Sequence, residues 1–473
     1  MRARETCSSL APGRTAKISS EVCGVTNPPA CNPLIPEVSG GFDLSNVAAR
    51  FDDLWLQGKS APSGPIDVID MFSGCGGMSA GFRAVNGILP AYRLALAVDI
   101  DEDSNRTYET NLGLKPINVD IGTLARSRTK VLDLIASARA GDDSPLVMIG
   151  CAPCQGFSSH RNAAGESDVR NSLFVSFARI AARVKPDAIV VENVPEILTD
   201  RYWPVVEKAR RILQRAGYNT LLGVHDMAEF GVPQNRYRAV MIGMKRHFRM
   251  PKGFATRDTH KTVRQAIGHL PQIAAGEVCP NDTMHYTANH RASTIETMRA
   301  VPADGGSRPY HAGPECLRRA EKKQGRAAYE DVYGRLWWDR PAITITAYAR
   351  NPASGRYVHP QQHRGLSVRE AALLQSFPSG YVFEGSFDSR FRQIGNAVPP
   401  VFGACLAAHL LGEFRSGDTV IEERGINAPL GPSFSRLIPA LKAGYRRLDG
   451  NGRPIKIAPD ASAASGETED VAA

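Results

Sequence analysis

The residues best suited to chemistry are a cysteine, a glutamate and two arginines, each beside a short apolar run. Cys154 stands in Gly150-Cys151-Ala152-Pro153-Cys154-Gln155-Gly156-Phe157-Ser158. Most cysteines are small buried apolar groups. One on a Pro- and Gly-flanked loop is better placed to react, and a thiolate both attacks and leaves readily. Glu192 opens Glu192-Asn193-Val194. A buried carboxylate without a partner is costly unless it has a job or a shifted protonation. Gln234-Asn235-Arg236-Tyr237-Arg238 leads into a later apolar run and carries two arginines, either of which alone would read as a surface salt bridge. In an extended segment Arg236 and Arg238 project to one side.

A second group has the character of a ligand cradle. Asp70-Met71-Phe72-Ser73-Gly74-Cys75-Gly76-Gly77-Met78 follows an apolar run. Glycines there allow a tight turn and close approach of the backbone to a ligand. A dinucleotide fingerprint would continue with glycine at position 79, where the chain has Ser79, which argues against a nicotinamide oxidoreductase. Asp99 ends a second apolar run, where a carboxylate suits ribose hydroxyls. Asp120 follows a third and could accept a hydrogen bond from an amino group such as that of adenine. Turn and acids together point to an adenosine-containing cofactor.

All these residues need one frame. Short apolar runs at 66–72, 94–100, 146–149, 188–191 and 239–242 alternate with helical patterns at 103–112, 130–139, 172–184 and 205–215. Such alternation predicts an α/β protein, a doubly wound, mostly parallel sheet with helices on both faces. Ligands in such sheets bind beyond the carboxyl ends of the strands, which is where the candidate residues fall. Upstream, apolar positions from Leu44 to Trp55 predict one short helix across 43–58. Downstream, Ser367-Val368-Arg369-Glu370 has the form of a capping box, and a helix is expected over 400–414.

Composition sets the outer bounds. The chain has 473 residues, a net charge of +9 and nine cysteines without a repeated CxxC pair. Free thiols fit this pattern better than a disulfide framework, and no standard metal-site spacing occurs. No signal peptide and no run of about 18 apolar residues is visible, so a membrane span is not expected. The stretch from Lys245 to Arg340 carries 17 Lys and Arg against 10 Asp and Glu, which suggests a surface meeting phosphates.

In order and content these segments resemble the motif series of the cytosine-C5 DNA methyltransferase family. The resemblance runs through Asp70 to Gly77, Asp99, Asp120, Pro153-Cys154-Gln155, Glu192-Asn193-Val194 and Gln234 with Arg236 and Arg238. It closes with Arg340-Pro341-Ala342-Ile343-Thr344 and Arg392-Gln393-Ile394-Gly395-Asn396-Ala397-Val398-Pro399-Pro400. It spans roughly residues 66–413 and implies the S-adenosylmethionine-dependent methyltransferase fold. The implied reaction moves a methyl group from S-adenosyl-L-methionine to carbon 5 of cytosine in a specific duplex DNA sequence. Cys154 would attack carbon 6 of a base flipped out of the stack. Glu192 would hold N3 and the amino group, Arg238 the O2 oxygen, and Arg236 would position the loop or a phosphate. For the cofactor, the resemblance implies Phe72 near the adenine, Gly74, Gly76 and Gly77 along the methionine end, Asp99 with Ile100 at the ribose, and Asp120 with Ile121 at the adenine. Pro153, Leu173, Asn396 and Ala397 complete the set. Members commonly carry Glu where this chain has Asp99, one methylene shorter, so the ribose contact would be looser.

The implied organisation is an extension over 1–65 and a catalytic domain over 66–245. A target recognition domain over 246–338, a return to the catalytic domain over 339–413 and a loosely attached tail over 414–473 follow. A mobile loop over 160–168 and a short helix within 434–445 are also expected. The resemblance further implies a monomer in the cytoplasm, bound to double-stranded DNA, with no membrane and no metal, that could accompany a cognate restriction endonuclease. Two rivals stand beside this reading: a methyltransferase of cytosine in transfer RNA, and a DNA-binding protein that kept the fold without activity.

Overall fold

The computed structural model describes residues 42–141, 143–152, 171–324, 329–415, 425–432, 447–448 and 454–455. Its centre is a seven-stranded sheet: β1 (Ile66–Met71), β2 (Tyr92–Asp99), β3 (Ile117–Asn118), β4 (Leu146–Gly150), β5 (Ala188–Asn193), β6 (Asn219–Asp226) and β7 (Tyr237–Met244). The order is β3-β2-β1-β4-β5-β7-β6. Strand β7 alone runs against its neighbours β5 and β6; the other pairings are parallel. The doubly wound, mostly parallel sheet expected from the alternation is therefore present. Every residue of β1, β4 and β5 is buried, which is why these strands read as largely apolar rather than alternating, with Asp67, Asp70 and Glu192 as buried exceptions.

The chain leaves β1 towards β2 and β3 on one side, and β4 and β5 lie on the other. The order thus reverses between β1 and β4, and a crevice opens beyond their carboxyl ends. Strand β6 had no sequence expectation of its own, and β3 was expected only as the third run before Asp120, without bounds. Both residues of β3 are exposed, so it carries no apolar signature. Strand β6 lies at the sheet edge, with Gly223 interrupting its pattern.

Two helices form where one was expected upstream: α1 (Leu44–Ala49) and α2 (Phe51–Ser60), broken at Arg50. Asp43 caps the first by accepting from the Ser45 amide. Phe51, Leu54 and Trp55 are buried in the main core. Around the sheet stand α3 (Gly77–Val85), α4 (Glu102–Leu112), α5 (Ile121–Leu124), α6 (Arg128–Ala138), α7 (Asn171–Val184) and α8 (Trp203–Arg215).

The basic stretch holds only short helices among its described residues: α9 (Val263–Ile267), α10 (Ala292–Ala300) and α11 (Glu315–Gln324). Much of its order comes from buried guanidinium groups. Arg335 is 1% exposed and donates to the carbonyls of Met298, Val301 and His359. Arg308 is buried against Glu321. An arginine has five donors and can tie several loops at once, so this region needs little apolar periodicity. Arg308 and Arg335 are internal, and the expectation that the whole basic surplus faces phosphates is corrected to that extent.

The last part completes the main body through α12 (Val368–Leu374), α13 (Phe387–Asn396) and α14 (Pro400–Arg415). The capping box is formed: Ser367 and Glu370 each accept the other's backbone amide. Helix α14 lies close on α3. A Cβ on Gly81 would stand 2.3 Å from the Ala404 amide nitrogen, so glycine is required for that approach. The segment Phe387–Arg415 is by length and composition apolar enough to cross a membrane, yet 83% of its most apolar window is buried inside the molecule. It is a core segment.

The tail is corrected in part. The Ile426 amide donates to the Leu222 carbonyl on β6 at 2.7 Å, and the Leu430 amide to the Leu198 carbonyl at 2.9 Å. Leu430 is 3% exposed. Residues 425–432 are therefore fastened along the sheet edge rather than loosely attached. The helix expected within 434–445 lies outside the described residues.

Candidate active site

A cavity of about 360 Å³ opens beyond β1 and β4, at the reversal of strand order. One end is built by the turn between β1 and α3. Phe72 has φ +61° there, a conformation that a non-glycine residue adopts only under constraint. The turn is fixed by Asp99, whose carboxylate accepts from the Gly74 amide at 2.8 Å and the Asp101 amide at 2.9 Å. Burial holds the Asp99 carboxyl above its usual range, against those two amides, which lower it.

Phe72, Gly74, Gly77, Asp99, Ile100, Asp120, Ile121, Leu173, Asn396 and Ala397 all line this cavity. The sequence reading assigned every one of them to the cofactor, and the fold brings them together from distant parts of the chain. Gly74 has φ +51°, and a Cβ there would meet open space. Gly77 permits contact: its Cβ would lie 2.3 Å from the Val398 carbonyl oxygen. Gly76, also expected at the cofactor, has φ +86°, and a Cβ there would strike Leu112 and Tyr108. Glycine is required for the turn at that position. Asp120 caps α5 through the Thr123 amide.

Ser73 also lines the cavity, and its Oγ is buried with no hydrogen-bond partner among the described residues. A buried hydroxyl of this kind is costly unless a ligand satisfies it. Asp70 was quoted in the turn but given no role. It is buried at the cavity wall and accepts from Ser79 Oγ at 2.6 Å, which in turn accepts from Tyr108 Oη at 2.9 Å. Burial pushes the Asp70 carboxyl up to about 7. The position of Ser79, which broke the dinucleotide fingerprint, thus supplies the partner of a buried acid.

The other end of the cavity carries Glu192 and Arg238. Arg238 Nε lies 2.8 Å from Glu192 Oε1, and both side chains are largely buried. Asn193, the next residue, donates to the Ala152 carbonyl at 3.2 Å and ties β5 to the chain leaving β4. Arg236 lines the cavity but is 1% exposed. It donates to the carbonyls of Ile345, Gly395 and Ala397 at 3.0–3.1 Å. Of the two roles expected for Arg236, positioning a loop or a phosphate, its bonds agree with positioning: the guanidinium holds the late segment against the start of β7.

Gln234 was also quoted without a role. It is fully buried, accepts from the Ile345 amide and donates to the Leu374 carbonyl.

Cys151 and Ala152 line the cavity directly after β4. Burial first, then the Glu192 and Asp70 carboxylates, push the Cys151 thiol well above the usual range, which unfits it as a nucleophile. Pro153, Cys154 and Gln155, the loop over 160–168, and the N-terminal Cys7, Cys23 and Cys31 lie outside the described residues. No cluster of metal-binding side chains occurs among the described residues.

A doubly wound sheet with a glycine turn and acidic strand ends on one cavity defines the α/β methyltransferase class. The chain belongs to the C-5 cytosine-specific DNA methylase family, whose model matches residues 66–411. It is 32% identical over 345 residues to the type II methylase M.HgiDII of Herpetosiphon aurantiacus, covering 72% of this chain and 93% of that one. It is 33% identical over 347 residues to the type II methyltransferase M1.HphI of Haemophilus parahaemolyticus, covering 72% and 86%. Among solved structures it resembles a DNA modification methyltransferase candidate encoded within an E. coli prophage. That match has a TM-score of 0.57 at 23% identity and covers 74% of this chain and 100% of that one; it speaks for the fold.

Proposed function

We propose that the protein methylates carbon 5 of cytosine within a specific sequence of duplex DNA, using S-adenosyl-L-methionine, base flipping and covalent addition of Cys154 at carbon 6. The observation that carries this reading is the Glu192–Arg238 pair at one end of a cavity whose other end is the glycine turn and Asp99.

The residues present fit the methyl donor. The unsatisfied Ser73 hydroxyl, the open face of Gly74 and the Asp99 carboxylate offer polar contacts. Phe72 and Ile100 offer apolar ones, and Ile100 is 64% exposed although it sits on the cavity. When bound there, the donor supplies an electrophilic methyl group. Everything else falls to the chain. Carbon 5 of cytosine is a poor nucleophile until a thiolate adds at carbon 6, and Cys154 supplies that thiolate. Glu192 holds N3 and the exocyclic amino group and manages the N3 proton as charge develops. Arg238 holds Glu192 in one orientation through their 2.8 Å contact and reaches O2. Departure of the carbon-5 proton and of the Cys154 sulfur then restores the ring.

Residues 246–338 serve as the target recognition domain, and 66–245 with 339–413 form the catalytic domain, acting as a monomer in the cytoplasm. The type II designations of the relatives support a modification enzyme paired with a restriction endonuclease. Methyl transfer to duplex DNA compared with transfer RNA tests the substrate. Transfer to DNA is expected, and transfer to RNA alone would overturn the reading.

A further inference from the structure

The cofactor end of the cavity is bounded by two elements far apart in sequence. One rim is the start of α4, with Ile100 and Asp101. The other is α13, with Arg392 and Asn396. Helix α4 also packs on residues 382–385, the segment that leads into α13, and this forms a seam. Away from the cavity the seam is closed mainly by neutral hydrogen bonds, with Thr110 also donating to the Glu384 carboxylate. Asn111 exchanges two bonds with Val382, at 2.7 and 2.9 Å, and Thr107 Oγ1 accepts from the Glu384 amide at 2.8 Å. Gly385 is packed so closely that a Cβ would stand 2.4 Å from Asp103 Oδ2.

At the cavity end the seam changes character. Its last tie is a charged pair, Arg392 Nη2 to Asp101 Oδ2 at 3.2 Å, with side chains 47% and 37% exposed. Arg392 is steadied by Ser389 Oγ at 3.1 Å. Asp101 uses its other oxygen to cap α4 through the Ser104 amide at 2.9 Å, and its own amide is held by Asp99. A pair this exposed contributes only about 0–1 kcal/mol and weakens with salt. It is the tie that opens most easily, and it lies directly over the cofactor end of the cavity.

We infer that Arg392 and Asp101 form a latch across the mouth through which the cofactor and its demethylated product exchange. The inference rests on the cofactor reading above. The closed pair joins the two rims beside Ile100 and slows escape of the ligand. Opening it parts the rims while the ties further along keep α4 on residues 382–385. Arg392 and Asp101 are then positioning residues: they set residence time and affinity without touching the reacting atoms.

The test is the dissociation rate and affinity of S-adenosylhomocysteine, followed by stopped-flow displacement and calorimetry on the full chain at low and high salt. The variants are Arg392→Gln, Asp101→Asn, the double variant and Arg392→Lys. Asparagine caps a helix as well as aspartate does, so Asp101→Asn removes the charge and leaves α4 capped.

Each charge-removing variant is expected to release product about 2- to 5-fold faster. The double variant should match a single one, and the salt dependence seen in the wild type should vanish in all three. Arg392→Lys should keep it. Wild type that binds with variants releasing product at the wild-type rate overturns the latch alone, as do single effects that multiply in the double variant. Wild type that does not bind S-adenosylhomocysteine overturns the cofactor reading and the latch with it.

Discussion

Arg238 Nε and Glu192 Oε1 lie 2.8 Å apart, on neighbouring antiparallel strands, with side chains 13% and 8% exposed. A charge-assisted contact in that setting keeps the carboxylate in one orientation. Glu192→Gln preserves shape and removes the charge. Methyl transfer should fall by about 10²- to 10⁴-fold, the range for losing a group that manages a proton in the transition state. The thermal midpoint should move little. Single-turnover kinetics beside a melting curve check both, and a variant with wild-type turnover would remove Glu192 from the chemistry.

Arg236 and Arg238 should behave differently despite their spacing. Arg236→Ala removes the guanidinium donor from the buried carbonyls of Ile345 and Gly395 and leaves that of Ala397 to Gln375 alone. Each unsatisfied group costs about 1–3 kcal/mol, so this variant should be severely destabilised or insoluble. Arg238→Ala should fold, with lost activity as its main defect. Denaturant titration of the two variants separates the roles.

Asp70 gives a pH prediction. Burial raises its carboxyl from 3.8 to about 7. Between those values the folded protein keeps a proton that the unfolded chain has released. The group therefore supports folding fully at low pH, and that support is lost as pH rises through about 7. Asp70→Asn should melt at a higher temperature than wild type above neutrality, with the gap closing as pH falls towards 4. Melting curves across that range check it, and parallel slopes for the two proteins would contradict the assignment.

Leu430 tests the fastened tail. It is 3% exposed and packs in the same core cluster as Ile197 and Leu198, just after Glu192 and Asn193. Leu430→Ala should cost about 2–5 kcal/mol, measured by chemical denaturation. A cost near zero would mean that residues 425–432 are not seated there in solution.

These cases show what sequence carried and what it did not. Strands β4 and β5 were legible because full burial leaves an apolar run, and β1 because Asp67 and Asp70 interrupt only a short one. The residues that meet on the cavity were legible because a strand end, a glycine turn and an acid recur together. For Gly76 the sequence could not tell that its missing Cβ faces Tyr108 and Leu112. Which of its two roles Arg236 plays was not legible, because its partners are backbone carbonyls more than a hundred residues away, which no side-chain pattern reports. The seating of 425–432 rests on one buried leucine and a few backbone bonds, too little to stand out from a polar tail.

The central claim is that Cys154 attacks cytosine in duplex DNA. Bisulfite sequencing of DNA from cells expressing the wild type and Cys154→Ser tests it most directly, because it reports activity and target site together. Wild type should protect cytosines within one recurring sequence, and Cys154→Ser should protect none while still binding duplex DNA. Protection by Cys154→Ser equal to wild type, or none by either protein, would contradict the account.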